Sequence, residues 1–401
     1  MVRYDLIVVG AGPGGSNAAR VALEGGLAVA QIDACRFPRV KPCAGGVTLK
    51  ARRALAFDLG PLLRGSFHQI EFGAWGKRVN RFSSPDPVLL MVCRPEFDNH
   101  LVQQNRTFDR FDFFDGEPVR HVAYDGVFRV RTSRQQIAAP QLVGADGAYS
   151  LVNRTFGVSR PRGVATAVEV GVGRSRLASS DALIPSLDYG AVPQGYGWIF
   201  PKDDHLSIGL YTTARHTRDM RTRLVEYMAS RGILPAGDPL DGFEAHRFPV
   251  GGFRLRTPSA PVYIVGDAGG FGDAVTGEGI YHALESGRLA GVTACEVAAG
   301  KRSHHAYYRR LWRSVLPDTA LAYAISTELY RNTDKGIRIL EHPLVWRPLI
   351  EGYSQGSTLT RCLVRGGLYL ARSLAKQSAC QKRGWDEARL PREFDTRRRE
   401  V

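Results

Sequence analysis

The first 33 residues limit the fold of this chain more than any other part of it. Tyr4 to Val9 is a short apolar run rich in Ile and Val, the composition of a strand buried in a parallel sheet. Gly10-Ala11-Gly12-Pro13-Gly14-Gly15 follows at once, then Ser16 to Leu23, which has helix composition. A second run, Leu27 to Ile32, ends at Asp33, with Ala34 after it. This order of strand, glycine turn, helix, strand and acid describes a nucleotide-binding α/β unit. Gly10 permits the tight turn, Gly12 lets the backbone approach a pyrophosphate, and Gly15 lets the helix pack close to the sheet. Pro13 and Gly14 complete the turn, and the helix N-terminus offers free N–H groups to phosphate. Asp33 follows Gly15 by 18 residues, in range for a carboxylate that accepts a ribose hydroxyl. The turn alone leaves NAD and FAD both open.

Two downstream segments favour a flavin. Gln141 to Gly144 reads as a strand running into Ala145-Asp146-Gly147. Val262 to Val265 reads as another, running into Gly266-Asp267-Ala268-Gly269-Gly270. Gly277-Glu278-Gly279-Ile280 then opens a helix expected over Tyr281 to Ala298. A carboxylate at such a strand end can hold a ribityl hydroxyl. Glycines before the helix let backbone pass close to an isoalloxazine ring. The helix N-terminus favours the negative charge of reduced flavin near N1 and the C2 carbonyl.

Together these segments resemble the p-hydroxybenzoate hydroxylase-like FAD proteins, over roughly residues 1–300. The resemblance implies Gly10, Gly12, Gly15 and Asp33 on the ADP part and Asp267 on the ribityl chain. It also implies that Asp146 bridges flavin and reductant, and that Arg94, in Cys93-Arg94-Pro95-Glu96-Phe97-Asp98, lies near the flavin phosphates or ribityl chain. Ala274 stands where proline is common, which removes one source of loop rigidity. The chain has no second dinucleotide fingerprint, so the electron donor, NADPH or ferredoxin, is expected to dock transiently.

Two further segments point to the substrate. Pro193-Gln194-Gly195-Tyr196-Gly197-Trp198-Ile199-Phe200-Pro201-Lys202 matches P-x-x-Y-x-W-x-F-P, and Phe37-Pro38-Arg39-Val40-Lys41-Pro42-Cys43-Ala44-Gly45-Gly46 is similar to a Lys-x-Cys-Gly-rich segment. Both resemble the geranylgeranyl reductase family, in which many members have glycine where Ala44 stands. The resemblance implies saturation of isolated C=C bonds in a polyprenyl chain. It places Lys41, Cys43, Ala44 and Gly45 beside the flavin. Tyr196, Trp198 and Phe200 alternate, so on a strand they share one face. That face would form an apolar wall for a prenyl chain; an ordinary core strand would show the same pattern. Reducing an isolated double bond needs a hydride on one carbon and a proton on the other. Cys43 is the candidate proton donor, or else a small buried residue in a glycine-rich turn. Tyr196 and Trp198 are further candidates for substrate positioning, with Tyr196 a candidate proton relay.

The six cysteines lack any Cys-x-x-Cys spacing, so no metal site and reduced thiols are expected. The net charge is +15. Residues 301–401 hold 20 Lys/Arg and 10 Asp/Glu, which puts +10 of that excess in the last quarter. No nucleic-acid motif accompanies this charge. Leu359 to Ala379 reads as a basic amphipathic helix, suited to an anionic bilayer or to capping a substrate cavity. The tail, with Arg397-Arg398-Arg399, is expected to be disordered. His304, His305, Tyr307 and Tyr308 read as helix surface. The short N-terminal apolar run does not suit a signal peptide. The expected location is cytoplasmic, with peripheral contact on the membrane's inner face.

The expected fold is α/β, α+β overall. A Rossmann-like FAD-binding domain comprises residues 1–75, 91–160 and 256–300. An antiparallel-sheet substrate domain comprises 76–90 and 161–255, and a helical region 301–401. The rivals to a prenyl reductase are a flavin monooxygenase or halogenase on the same scaffold and a flavoprotein electron carrier to a quinone or partner protein.

Overall fold

The computed structural model describes residues 4–75, 77–177, 184–215, 218–233, 242–341, 351–352 and 354–364. Most of the expected 359–379 helix and the arginine-rich tail lie outside these residues; 359–364 are helical.

A five-stranded parallel sheet forms one half of the molecule. Its order is Val262–Ile264, Gln141–Gly144, Leu6–Val9, Val29–Ile32 and Phe111–Phe114. The first four strands are buried along their whole length, which explains their near-continuous apolar sequence. Two buried glutamines interrupt this apolar run: the Gln141 amide donates to Ala294 O at 3.0 Å and its carbonyl accepts from the Tyr263 hydroxyl at 2.6 Å, and the Gln31 amide donates to Gly10 O at 3.1 Å. A three-stranded antiparallel meander, His121–Tyr124, Phe128–Arg131 and Gln136–Ala139, adds Val122, Phe128, Val130 and Ile137 to the same core. The helix Pro13–Glu24 packs against Ile280–Ala298 through glycines. A Cβ on Gly287 would lie 2.1 Å from Gly14 O, so this close crossing excludes any side chain there.

The other half is a seven-stranded sheet, in order Glu244–Val250, Gly163–Gly173, His205–Thr212, Gly195–Pro201, Ser186–Tyr189, Gln69–Ala74 and Lys77–Ser83. Only Gln69–Ala74 and Ser186–Tyr189 run parallel. The expected division at 75/76 falls inside the Gln69–Ser83 hairpin, and both of its strands pair in this sheet. The period of two separates the faces. Val168, Val170, Ile199, Leu206, Ile208 and Leu210 meet Leu224 and Met228 of the helix Met220–Ser230. Ala165, Tyr196, Trp198, Tyr211 and Val250 point the other way. A small antiparallel sheet, Gly46–Val47, Leu89–Val92 and Leu63–Phe67, lies beside the Cys43 segment.

Three helices follow, His305–Ser314, Leu316–Arg331 and Thr333–Glu341. Tyr307 and Tyr308 are buried, not surface residues. Their hydroxyls donate to Ile264 O at 2.6 Å and Val262 O at 2.5 Å, which satisfies carbonyls of the last strand of the parallel sheet. Leu329, Tyr330 and Ile337 pack on the aromatic face of the large sheet. Among the described residues, no helix is long and apolar enough to cross a membrane.

Candidate active site

One cavity of about 1550 Å³ runs between the two halves. Its lining includes Gly10, Gly12, Pro13, Gly14, Gly15, Asp33, Ala34, Lys41, Cys43, Ala44, Gly45, Arg94, Asp146, Tyr196 and Trp198. It also includes Gly266, Asp267, Gly277, Gly279 and Ile280. The segments that stood apart in sequence therefore share one space.

At one end lies the glycine turn. Gly10 has φ +104°, and a Cβ there would lie 2.1 Å from Ala145 O. Gly15 packs equally closely, 2.1 Å from Gly10 O by the same measure. Gly12 differs: only the Arg39 guanidinium, at 3.6 Å, approaches its Cβ position. Gly12 is the N-cap of Pro13–Glu24, and no side chain caps it. The free N–H groups therefore face open space beside a cation, as a pyrophosphate requires. Asp33 accepts from Ala11 N at 2.8 Å and Cys35 N at 2.9 Å, which fixes its carboxylate at the strand end.

Arg94 forms a two-pronged pair with Asp98, at 2.9 and 2.7 Å. Arg39 reaches the same carboxylate at 3.1 Å. Lys41 Nζ lies 2.6 Å from His246 Nε2 and 3.9 Å from Asp267. Burial, then the neighbouring Lys41 charge, push the His246 pKa down to about 4, so this ring is neutral at pH 7. Beyond Lys41 at 3.9 Å, the Asp267 carboxylate has no hydrogen-bond partner among the described residues, so it can accept from a polyol. Asp146 lines the cavity, yet its carboxylate accepts from Ser150 Oγ, Leu151 N and Val152 N and so caps the helix Leu151–Phe156.

At the other end, Gly279 is the N-cap of Ile280–Ala298, again with no side-chain cap. The loop before it is pinned by three phenols. Tyr211 donates to Ala274 O and Tyr330 to Val275 O, both at 3.0 Å, and Tyr196 donates to Thr276 O. Asp273 accepts from Val275 N at 2.7 Å and Thr276 N at 2.9 Å. The rigidity that a proline at 274 would provide comes instead from these five hydrogen bonds. Burial holds the Tyr196 and Tyr211 phenols well above their ordinary pKa, so both stay protonated donors.

Tyr196 and Trp198 share a face, with Phe200 packed against the same cluster. Tyr196 stacks on Tyr211 with ring centroids 4.9 Å apart. Trp198 sits over Gly209, its partner in register, where a Cβ would meet the indole at 2.2 Å. Its indole N–H donates to Ser207 Oγ at 3.2 Å. Cys43 lines the cavity with Arg94, and its Sγ accepts the Gly45 N–H at 3.5 Å. Gly45 has φ +76° and contacts Val92 O, a position closed to other residues.

Sequence reasoning missed Arg39, Glu169 and His246, all of which line the cavity. Arg39 stands in the Cys43 segment, where a cation before a glycine-rich turn was a usable signal. Glu169 and His246 stand on strands without motifs, and only strand register brings them to the site.

No family model matches the chain. It is 33% identical to an uncharacterized protein of Methanosarcina barkeri, across 89% of this chain and 92% of that one. It is 31% identical to a menaquinone reductase of Mycolicibacterium smegmatis, across 72% and 75%. It is 29% identical to a digeranylgeranylglycerophospholipid reductase of Methanosphaerula palustris, across 84% and 89%. Its fold is similar to that of a geranylgeranyl bacteriochlorophyll reductase-like protein of Thermoplasma acidophilum, with TM-score 0.74, 18% identity and coverage of 91% and 95%. A probable FAD-dependent monooxygenase of Pseudomonas aeruginosa shares the fold at TM-score 0.66, 16% identity and coverage of 84% and 98%. With these relatives, the paired glycine cradles and the aromatic strand, the chain belongs to the geranylgeranyl reductase family of FAD-dependent oxidoreductases.

Proposed function

We propose that this protein binds FAD in the cavity and saturates isolated C=C bonds of a geranylgeranyl or related polyprenyl chain. The observation that carries this reading is the position of Cys43, in the same cavity as the flavin-type glycine cradle and the Tyr196–Trp198 wall. The parallel-sheet half holds the cofactor, and the seven-stranded sheet shapes the substrate space.

FAD, when bound, supplies a hydride equivalent at N5. Gly12 and the open N-terminus of Pro13–Glu24 bind its pyrophosphate, with Arg39 and Arg94 nearby. Asp267 would hold the ribityl hydroxyls. The uncapped N-terminus of Ile280–Ala298 would favour the negative charge of the reduced flavin. The aromatic wall keeps water from the prenyl chain and orients the double bond. Cys43 gives its thiol proton to the carbon that does not accept hydride, so one C=C becomes CH–CH. Tyr196 is held to Thr276 O and acts by positioning. NADPH or ferredoxin would supply the electrons by transient docking, and the basic last quarter supports contact with a lipid surface.

The test is to mix photoreduced enzyme anaerobically with prenyl lipids and weigh the product. A gain of two hydrogens per bond is expected. A gain of oxygen or halogen would move the protein to the oxygenase class. Flavin reoxidation by a quinone with no lipid saturated would make it an electron carrier.

A further inference from the structure

Two segments beside the flavin cradle bring arginines together without acids. Residues 147–168 and 245–266 hold six arginines and no lysine, aspartate or glutamate. The backbone lays these segments side by side. Arg160 N donates to Arg254 O at 3.3 Å and Arg256 N to Val158 O at 2.8 Å, around the Ser159–Leu255 bridge. Arg154, Arg160, Arg162, Arg254 and Arg256 are exposed, and none has an ion-pair partner among the described residues. Arg154 and Arg162 line a cleft of about 360 Å³ with Tyr149, Val164 and Pro249. The Arg162 guanidinium is steadied there, 5.5 Å from the centre of the Phe253 ring and 5.9 Å from that of Tyr323. Tyr149 is 69% exposed, and Ala148 and Tyr149 line both this cleft and the main cavity. Asp146 fixes the loop between them by accepting Ser150 Oγ and Leu151 N.

We propose that this face docks an acidic one-electron carrier protein, a donor of the ferredoxin type, which loads the flavin. The inference rests on the FAD part of the reading above and not on the prenyl substrate. A transient electron-transfer contact needs little area, complementary charge and an apolar centre. Tyr149 and Val164 supply the centre and the arginines supply the rim. Because these arginines are unpaired, a carboxylate-rich partner breaks no ion pair on arrival, and their field steers its approach. The cleft meets the cavity at Ala148 and Tyr149, not at Cys43, Tyr196 or Trp198, so it lies at the cofactor end. An electron can cross the Asp146–Tyr149 loop without contact between the redox groups, whereas hydride transfer from a nicotinamide needs the reacting atoms in contact. That difference favours a protein carrier here. Two reduced carriers in turn each lose one electron, and with one proton from water the oxidised cofactor becomes its two-electron reduced anion.

The test mixes oxidised holoenzyme anaerobically with a reduced, acidic plant-type ferredoxin and follows flavin bleaching. The wild-type second-order rate should fall as salt rises. Arg160→Glu combined with Arg254→Glu should slow bleaching ~10-fold or more at low salt and remove most of its salt dependence. FAD content and bleaching by dithionite should not change. Arg309→Glu, at an exposed position on His305–Ser314, should stay within about two-fold of wild type and controls for net charge. If the double reversal does not fold, Arg160→Gln with Arg254→Gln carries the comparison, with slowing of about 3-fold. Failure of ferredoxin to reduce the wild type, or equal slowing in Arg309→Glu, overturns the proposal. So does a loss confined to bleaching by NADPH, which would make this a dinucleotide site, or to binding of phosphatidylglycerol vesicles, which would make it a lipid face. A purified protein that holds no FAD would overturn the flavin reading itself. One that ferredoxin reduces but that saturates no prenyl lipid would overturn the prenyl reading and leave this proposal standing.

Discussion

The Tyr196 hydroxyl donates to the Thr276 carbonyl, and this bond ties the aromatic strand to the loop that precedes Ile280–Ala298. With Tyr211 and Tyr330, it places a phenol on each of three successive carbonyls. The wall against which substrate would lie and the loop that would cradle the cofactor are therefore one mechanical unit.

Tyr196→Phe keeps the stacked ring and removes that bond. Its loss should cost about 1 kcal/mol of stability and leave the Thr276 carbonyl without this partner. FAD affinity should fall several-fold as the loop loosens. Thermal denaturation and flavin fluorescence titration would show both; unchanged flavin affinity would separate the loop from cofactor binding.

Gly209→Ala would push a methyl into the Trp198 indole, which lies 2.2 Å from the Cβ position. Overpacking of this kind costs about 1–3 kcal/mol. The methyl would also meet the Val168 carbonyl at 2.5 Å, so the indole and the strand beside it must shift, and substrate turnover should fall more than FAD binding. Equal kinetics in variant and wild type would remove Trp198 from the substrate wall.

Cys43→Ser should retain FAD and lose most reductase turnover, ~100-fold or more, because a hydroxyl is a far weaker acid than a thiol. Flavin reduction by dithionite should not change. The decisive measurement is product formed per reduced flavin in a single turnover.

His246 sets a pH dependence of stability. Its folded pKa, about 4, lies below the unfolded value of 6.5. The unfolded chain therefore binds more protons between these values, and stability falls as pH drops from 6.5 towards 4. His246→Gln should flatten the decline of Tm across that window relative to wild type. An identical pH profile would show that the ring does not titrate on unfolding in this range.

Arg39→Met should weaken FAD binding by ~10-fold, consistent with loss of one charge-assisted contact at the pyrophosphate turn. Arg94 would still pair with Asp98, so the fold should survive. Calorimetric titration of the apoprotein with FAD reads this directly.

The sequence by itself determined the parallel sheet, both glycine cradles and the shared face of Tyr196 and Trp198. These are local properties: a buried strand is apolar along its length, a tight turn needs glycine, and alternation assigns a face. Tertiary structure decided the rest. Glu169 and His246 reach the cavity because Gly163–Gly173 pairs with His205–Thr212 and Glu244–Val250 in one register, and a one-residue slip would turn both away. Tyr307 and Tyr308 looked like surface because their partners, the carbonyls of Ile264 and Val262, are backbone atoms with no signature in sequence. The same holds for the Ala274 loop, whose rigidity depends on hydroxyls from two strands and a distant helix. Hydrogen bonds between segments far apart in the chain leave no periodic trace, so only the folded arrangement reveals them.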